Sequence, residues 1–242
     1  MRIKITILVS MLLAISACST VPSKSNTAVT PKKLTTSNWE QATKQVVRQY
    51  GQETAKDLQP YFQRANIAYP PKEIALLTFK KEQKLELWAQ DNMKTWRMIR
   101  TYPFTASSGT LGPKLAEGDY QIPEGIYRIN HINPFSSYHL SMMVDYPNEF
   151  DRQQAQKEGR TQLGGEVFIH GNALSVGCIA LGDKAAGELF VLVDQVGKHN
   201  TQLIIAPNDL RKDKPKTSLR NQPAWVPELY AQISEGLQPF AV

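Results

Sequence analysis

The residues best equipped for chemistry are His170 and Cys178. They stand in the segment Val167-Phe168-Ile169-His170-Gly171-Asn172-Ala173-Leu174-Ser175-Val176-Gly177-Cys178-Ile179-Ala180-Leu181. An apolar run delivers the histidine, a glycine-bearing loop turns the chain, and Gly177 immediately precedes the cysteine. A free thiol is only partly ionised near neutral pH, and the thiolate is the form that attacks. A neighbouring imidazole can take that proton and later return it to a leaving amine. Gly177 permits close approach of the backbone, so amide N–H groups around Gly177 and Cys178 are candidates for an oxyanion site. The chemistry such a set supports is acyl transfer. Spacing alone leaves a core histidine packed near a cysteine as an equal alternative. A metal site would draw on His131, His139, His170 and Cys178, but no Cys-x-x-Cys or His-x-x-x-His spacing supports it, so neither metal nor cofactor is expected. The order histidine before cysteine also argues against a papain-like protease.

The cysteine count sharpens the point. The chain has two cysteines, and the other is Cys18. Arg2 and Lys4 precede an apolar run from Ile5 to Ile15 that is too short to span a bilayer as a mature helix, which marks residues 1–17 as a signal peptide. Ile15-Ser16-Ala17-Cys18 resembles the bacterial lipobox, in which the cysteine is acylated and becomes the new N-terminus. Lipidated Cys18 would hold the protein at a membrane surface. Ser19, in place of an acidic residue, points to the inner face of the outer membrane, facing the periplasm. With Cys18 lipidated, Cys178 has no disulfide partner, and an unpaired thiol in an oxidising compartment calls for a use. The formal charge of +6, less the two positive charges of Arg2 and Lys4, leaves a mature +4. That is too little to argue for nucleic acid and suits acidic glycopeptide or lipid head groups.

These residues need a scaffold. At 242 residues, 41% hydrophobic and 21% charged, the chain can bury one good core. Residues 18–37, rich in Ser, Thr, Pro and Lys, are expected to form a flexible tether. Residues 38–71 form a helical segment: Trp39, Ala42, Val46, Val47 and Tyr50 fall at helical spacing, Leu58, Tyr61, Phe62 and Ala65 suggest a second short helix, and Pro70-Pro71 closes the segment. The catalytic domain, residues 72–208, is mainly β with flanking helices (α+β), a sandwich or barrel. Its strands are expected at Ile74–Phe79, Leu85–Trp88, Trp96–Tyr102, Gly125–Ile129, His139–Val144, Val167–His170 and Gln202–Ala206. One helix interrupts them, capped by Asp183 and carrying Leu189, Leu192, Val193 and Val196 as a core stripe. Residues 209–242 form a basic, polar tail with a final helix docked through Trp225, Leu229 and Tyr230.

The His170–Cys178 segment resembles the catalytic motif of the L,D-transpeptidase (YkuD-type) family, an upstream His-Gly followed by Ser/Thr-x-Gly-Cys. Leu111-Gly112-Pro113-Lys114, Glu117-Gly118-Asp119 and Pro123-Glu124-Gly125-Ile126-Tyr127 are similar to a further stretch of that family. Ser137-Tyr138-His139-Leu140-Ser141 and Tyr146-Pro147-Asn148-Glu149-Phe150-Asp151-Arg152 resemble its YafK-like branch. The resemblance implies a YkuD-type β domain that attacks a meso-diaminopimelate carbonyl of a peptidoglycan stem peptide through a Cys178 thioester. It implies Cys178 as nucleophile, His170 as general base and acid, the Gly171 carbonyl as the group orienting His170, and backbone amides at Gly177 as oxyanion donors. Ser175 occupies the motif serine, with a loop hydrogen bond as its plainer role. Tyr138 and His139 would line the substrate groove, and Lys114 and Arg152 would meet substrate carboxylates. Val176 and Ala180 stand where most members have histidine and arginine, and the loop is short, as in the YafK-like branch. That branch leaves the acceptor open. An amine acceptor makes a transpeptidase. Water makes an amidase or L,D-carboxypeptidase that trims stems or releases a peptidoglycan-attached lipoprotein. A non-catalytic wall-binding lipoprotein is the remaining alternative.

Overall fold

The computed structural model describes residues 36–216 and 222–240. The expected signal peptide, Cys18 and nearly all of the tether lie outside the described residues, and no described helix is long and apolar enough to cross a membrane.

Eight strands carry the site: β1 (Ile74–Phe79), β2 (Lys84–Gln90), β3 (Trp96–Pro103), β4 (Gly125–Asn133), β5 (Ser141–Val144), β6 (Phe168–His170), β7 (Ile179–Ala180) and β8 (Thr201–Ala206). They join in the order β3-β2-β1-β8-β4-β5-β6-β7, a mixed sheet that curls into a half-barrel with flanking helices. β1 with β8 and β6 with β7 pair in parallel, and the remaining neighbours are antiparallel. β1 is buried along its whole length. Its period-two alternation feeds two cores at once, which is why it is apolar at nearly every position. Ile74 and Leu76 face one layer, with Leu87, Leu203, Met142 and the helical residues Phe62, Leu189 and Leu192. Ala75, Leu77 and Phe79 face the other, with Trp88, Ile204 and the C-terminal residues Val226, Leu229, Ile233 and Phe240.

Among the described residues four α-helices cover these layers. α1 (Thr36–Arg64) is one continuous helix rather than two, and it begins at Thr36, inside the stretch expected to be tether. It runs through Pro60, where a backbone donor is lost, and the fully buried Leu58 and Phe62 on either side hold it in place. α3 (Asp183–Val196) supplies the apolar stripe against β5 and β6. Its N-cap is Gly182, without a side-chain cap bond; the Asp183 carboxylate instead accepts the Asn172 N–H at 2.7 Å. Asp183 therefore braces the loop after β6 rather than capping its own helix. α2 (Glu149–Lys157) was not expected from the sequence. It starts with a reciprocal capping box between Asn148 and Asp151. α4 (Val226–Leu237) closes the second core, with Leu229 and Tyr230 buried, while Trp225 at its N-cap donates to Glu158 at 2.9 Å.

One buried ion pair ties the long 104–124 connection to the sheet. Lys80 Nζ, at the end of β1, lies 2.9 Å from Glu124 Oε1 and donates to the carbonyls of Gly112 and Ile122. Glu124, fully buried, also accepts from the Gly112 N–H and from the Tyr230 hydroxyl, both at 2.8 Å. Burial pushes the Lys80 ammonium below its usual range, and Glu124 opposes that shift. Removing one partner of such a pair strands the other charge. Glu124→Gln is expected to lower stability by about 3–5 kcal/mol, read as a lower midpoint in urea unfolding with an unchanged slope.

Candidate active site

His170 ends β6 and Cys178 immediately precedes β7. The two strands run parallel with His170 opposite Ala180, so Cys178, two residues earlier, projects to the same face as His170. The ladder is extended by the Leu181 N–H, which donates to the His170 carbonyl at 2.9 Å. The loop between them folds back so tightly that a side chain on Gly171 would sit 2.6 Å from Asp183 Oδ1 and 2.9 Å from the Tyr138 carbonyl. No larger residue fits there.

The imidazole has a defined tautomer. His170 Nδ1 lies 2.5 Å from the Gly171 carbonyl oxygen. A carbonyl only accepts, so Nδ1 carries the hydrogen and Nε2 of the neutral ring is left with a free lone pair. The ring is buried, and Tyr138 stacks on it with centroids 4.8 Å apart at 34°. Burial holds its pKa below the ordinary histidine value, and the Gly171 hydrogen bond works in the opposite sense. Cys178 is half-buried, with Sγ 3.9 Å from the Glu166 carbonyl. Burial pushes its thiol up; a backbone hydrogen bond at Phe168 and the charge of Lys114 pull it down, and Glu166 adds to the rise. Both shifts favour the neutral forms of the pair. A thiol and an imidazole base on one face of the sheet are the groups that a proton transfer from sulfur to nitrogen would use.

The loop before the cysteine is held by two hydroxyls. Ser175 Oγ donates to the Cys178 carbonyl at 2.7 Å, so the loop hydrogen bond is what this serine makes. The Gly177 N–H donates to Ser108 Oγ at 2.6 Å, which means that this amide is engaged and is not an open oxyanion donor. Gly177 has φ +96°, and a Cβ there would meet the Gln121 carbonyl at 3.1 Å. Only glycine takes that conformation without strain.

The remaining expected residues fall in different places. Lys114 is buried and bonded to Asp119 at 2.6 Å and to the Ala116 carbonyl at 2.8 Å, so it is not presented to a substrate carboxylate; its effect reaches Cys178 as charge. Tyr138, 42% exposed, lines the imidazole. His139, next in the chain, turns away at φ +70° and meets Tyr50 of α1 edge-on at 5.6 Å. It lines a cavity of about 200 Å³ with Thr54, Asp57, Lys184 and Glu188 rather than the face shared by His170 and Cys178. Arg152 lies on α2, exposed and paired with Glu149, and lines a groove with Arg160 and Gln162. Among the described residues no group of three or more His, Cys, Asp or Glu side chains is placed to hold a metal ion. Ser108 and Thr105 belong to the site's framework but carry no local sequence signal, because each reaches its partner across a long stretch of chain. Thr105, for example, donates to the Asn172 carbonyl at 2.7 Å.

Comparison with known proteins places this geometry in context. The family model of the L,D-transpeptidase catalytic domain, YkuD, matches residues 74–210, more than half of the chain. YafK of Escherichia coli (strain K12) is 31% identical over 134 residues, which are 53% of this chain and 52% of that protein. The chain thus spans about half the length of this curated relative. Among solved structures, the helical cell shape determining protein Pgp2 from Campylobacter jejuni is similar with TM-score 0.46 and 22% identity, over 62% of this chain and 52% of that one. Bd1075 of Bdellovibrio bacteriovorus is similar with TM-score 0.41 and 22% identity, over 58% and 50%.

Proposed function

The chain belongs to the L,D-transpeptidase catalytic domain (YkuD) family, and on that premise we propose that it is a cysteine acyltransferase acting on diaminopimelate-containing peptidoglycan stem peptides. The observation that carries the reading is the Nδ1–H bond from His170 to the Gly171 carbonyl. It leaves Nε2 as a base on the sheet face shared with Cys178.

In this reading His170 Nε2 accepts the thiol proton as Sγ attacks the carbonyl carbon of the diaminopimelate–D-alanine bond. The carbonyl π electrons move onto oxygen, and the Cys178 N–H, rather than the engaged Gly177 N–H, donates to that oxyanion. Collapse re-forms the carbonyl and breaks the C–N bond, and His170 gives its proton to the departing D-alanine amine. The thioester then meets an acceptor amine. His170 takes a proton from it, the new amide forms, and the thiolate leaves and is reprotonated. Tyr138, stacked on the imidazole, limits rotation of the ring through both steps.

Incubation with purified muropeptides and lipoprotein-linked sacculi, followed by mass spectrometry, tests this. New cross-links or exchange of the terminal D-amino acid support transfer. Stem shortening or lipoprotein release alone replaces the amine acceptor by water, and unchanged substrates overturn the reading.

We also propose a periplasmic location with a lipid anchor on Cys18. Cys18→Ser is expected to move the protein from the membrane to the soluble fraction; unchanged fractionation removes the anchor.

A further inference from the structure

Ser108 lies in the segment that follows β3, far in sequence from the His170–Cys178 loop. That segment runs beside β7: the Thr105 N–H donates to the Ala180 carbonyl at 2.9 Å, and Ala106 bridges Ala180. This brings the Ser108 hydroxyl against the turn that presents the thiol. Its oxygen accepts the Gly177 N–H at 2.6 Å, donates to the Tyr120 carbonyl at 3.0 Å and lies 3.2 Å from Ser175 Oγ. Ser175 in turn donates to the Cys178 carbonyl at 2.7 Å. Each hydroxyl has one proton. With Ser108 bonded to Tyr120 and Ser175 to Cys178, both protons are placed, and the Gly177 N–H fills a lone pair of Ser108.

The consequence is geometric. The N–H of Gly177 belongs to the peptide unit before the Gly177–Cys178 peptide, and the C=O of Cys178 belongs to the unit after it. Both flanking units are tied, so the peptide between them, which carries the Cys178 N–H, is held from both ends. Its glycine backs onto the Gln121 carbonyl, where a Cβ would sit at 3.1 Å. The wall behind is itself anchored: the Ile122 carbonyl accepts from buried Lys80 at 2.8 Å, and Lys80 is paired with Glu124.

We infer that Ser108 is a positioning residue that fixes the Gly177–Cys178 peptide so that the Cys178 N–H is aimed at the oxyanion of an acyl transfer. The inference rests on Cys178 being the nucleophile proposed above. It assigns to a hydroxyl outside the histidine–cysteine segment a share of the rate that depends on charge developing at a carbonyl oxygen.

Two reagents separate this role from general damage, with modification at Cys178 followed by peptide-resolved mass spectrometry on the full chain. Acylation by p-nitrophenyl acetate passes through a tetrahedral oxyanion, whereas alkylation by iodoacetamide does not. Ser108→Ala is expected to slow acylation about tenfold or more while alkylation stays within about twofold, and Ser108→Thr, which keeps the oxygen, to restore most of the acylation. Equal loss in both reactions, or loss in neither, overturns the inference. Faster acylation in Ser108→Ala overturns it too, since the hydroxyl would then be a latch on the Gly177 amide. Wild-type protein that acylates with the ester but leaves stem peptides untouched overturns the stem-peptide reading and leaves the assignment of Ser108 standing.

Discussion

Cys178→Ala is expected to reduce stem-peptide turnover on the order of a millionfold, to the background of the uncatalysed reaction, because a thioester needs a cysteine and Cys178 is the only one among the described residues. The structure should survive the change. Cys178 is half-buried and sits just before a two-residue strand, so truncation removes the sulfur's contacts with backbone at Glu166 and Phe168 but no hydrogen bond of the β6–β7 ladder. The thermal midpoint should therefore move by no more than a few degrees, as for other small truncations at partly exposed sites. Turnover by mass spectrometry and melting by circular dichroism give the two halves of the result. Retained turnover removes Cys178 as nucleophile, whereas a collapsed melt makes the loss of turnover uninformative and shifts the decision to thiol alkylation in the wild type.

His170→Ala, with His170→Gln as a variant that fills more of the space, is expected to cost on the order of a thousandfold or more near neutral pH. The pH profile tells more than the magnitude. A base works only when unprotonated, so wild-type activity rises with pH as His170 loses its proton. Burial holds the His170 pKa below 6.5, which places the midpoint of that rise under 6.5 and a plateau above it. Without His170 only thiolate already present attacks. Burial raises the Cys178 pKa above 9.0, so the variants should be nearly inactive at neutral pH and gain about tenfold per pH unit up to that range. The gap to wild type then narrows in alkaline solution. A variant that keeps the rise below pH 6.5 would show that another group titrates there, and His170 would not be the base.

How much of this was legible in the sequence depends on how local each feature is. Ile74–Phe79 has the expected bounds because a run apolar at all but Thr78 and flanked by prolines and lysines has few other solutions. β7 escaped notice because two residues carry no period. α2 escaped because its buried residues are Asp151, Gln154 and Ala155, so it has no apolar stripe, and its capping box is its only strong local signal. The expectation of a second short helix carrying Leu58, Tyr61, Phe62 and Ala65 rested on apolar spacing, whereas α1 runs unbroken from Thr36 to Arg64 with Leu58 and Phe62 packed in the core. At the site, His170, Gly171, Ser175, Gly177 and Cys178 share one segment, so their type and spacing could be read directly. Ser108, Lys80, Glu124 and Asp183 act through partners that lie between 11 and 106 residues away, and only the fold brings them there. Lys114 was visible as a charge, but its burial against Asp119 was not.

The upward shift of the Cys178 thiol has a consequence for durability. Oxidation to sulfenic acid and exchange with disulfides both proceed from the thiolate, and susceptibility follows how much of it is present and exposed. A thiol held protonated by its surroundings and half-covered by the loop before β6 offers oxidants little to attack between turnovers. In the proposed mechanism the thiolate forms only as an electrophile occupies the face beside His170. The same burial that weakens Cys178 as an acid is therefore expected to slow its reaction with peroxide or foreign disulfides.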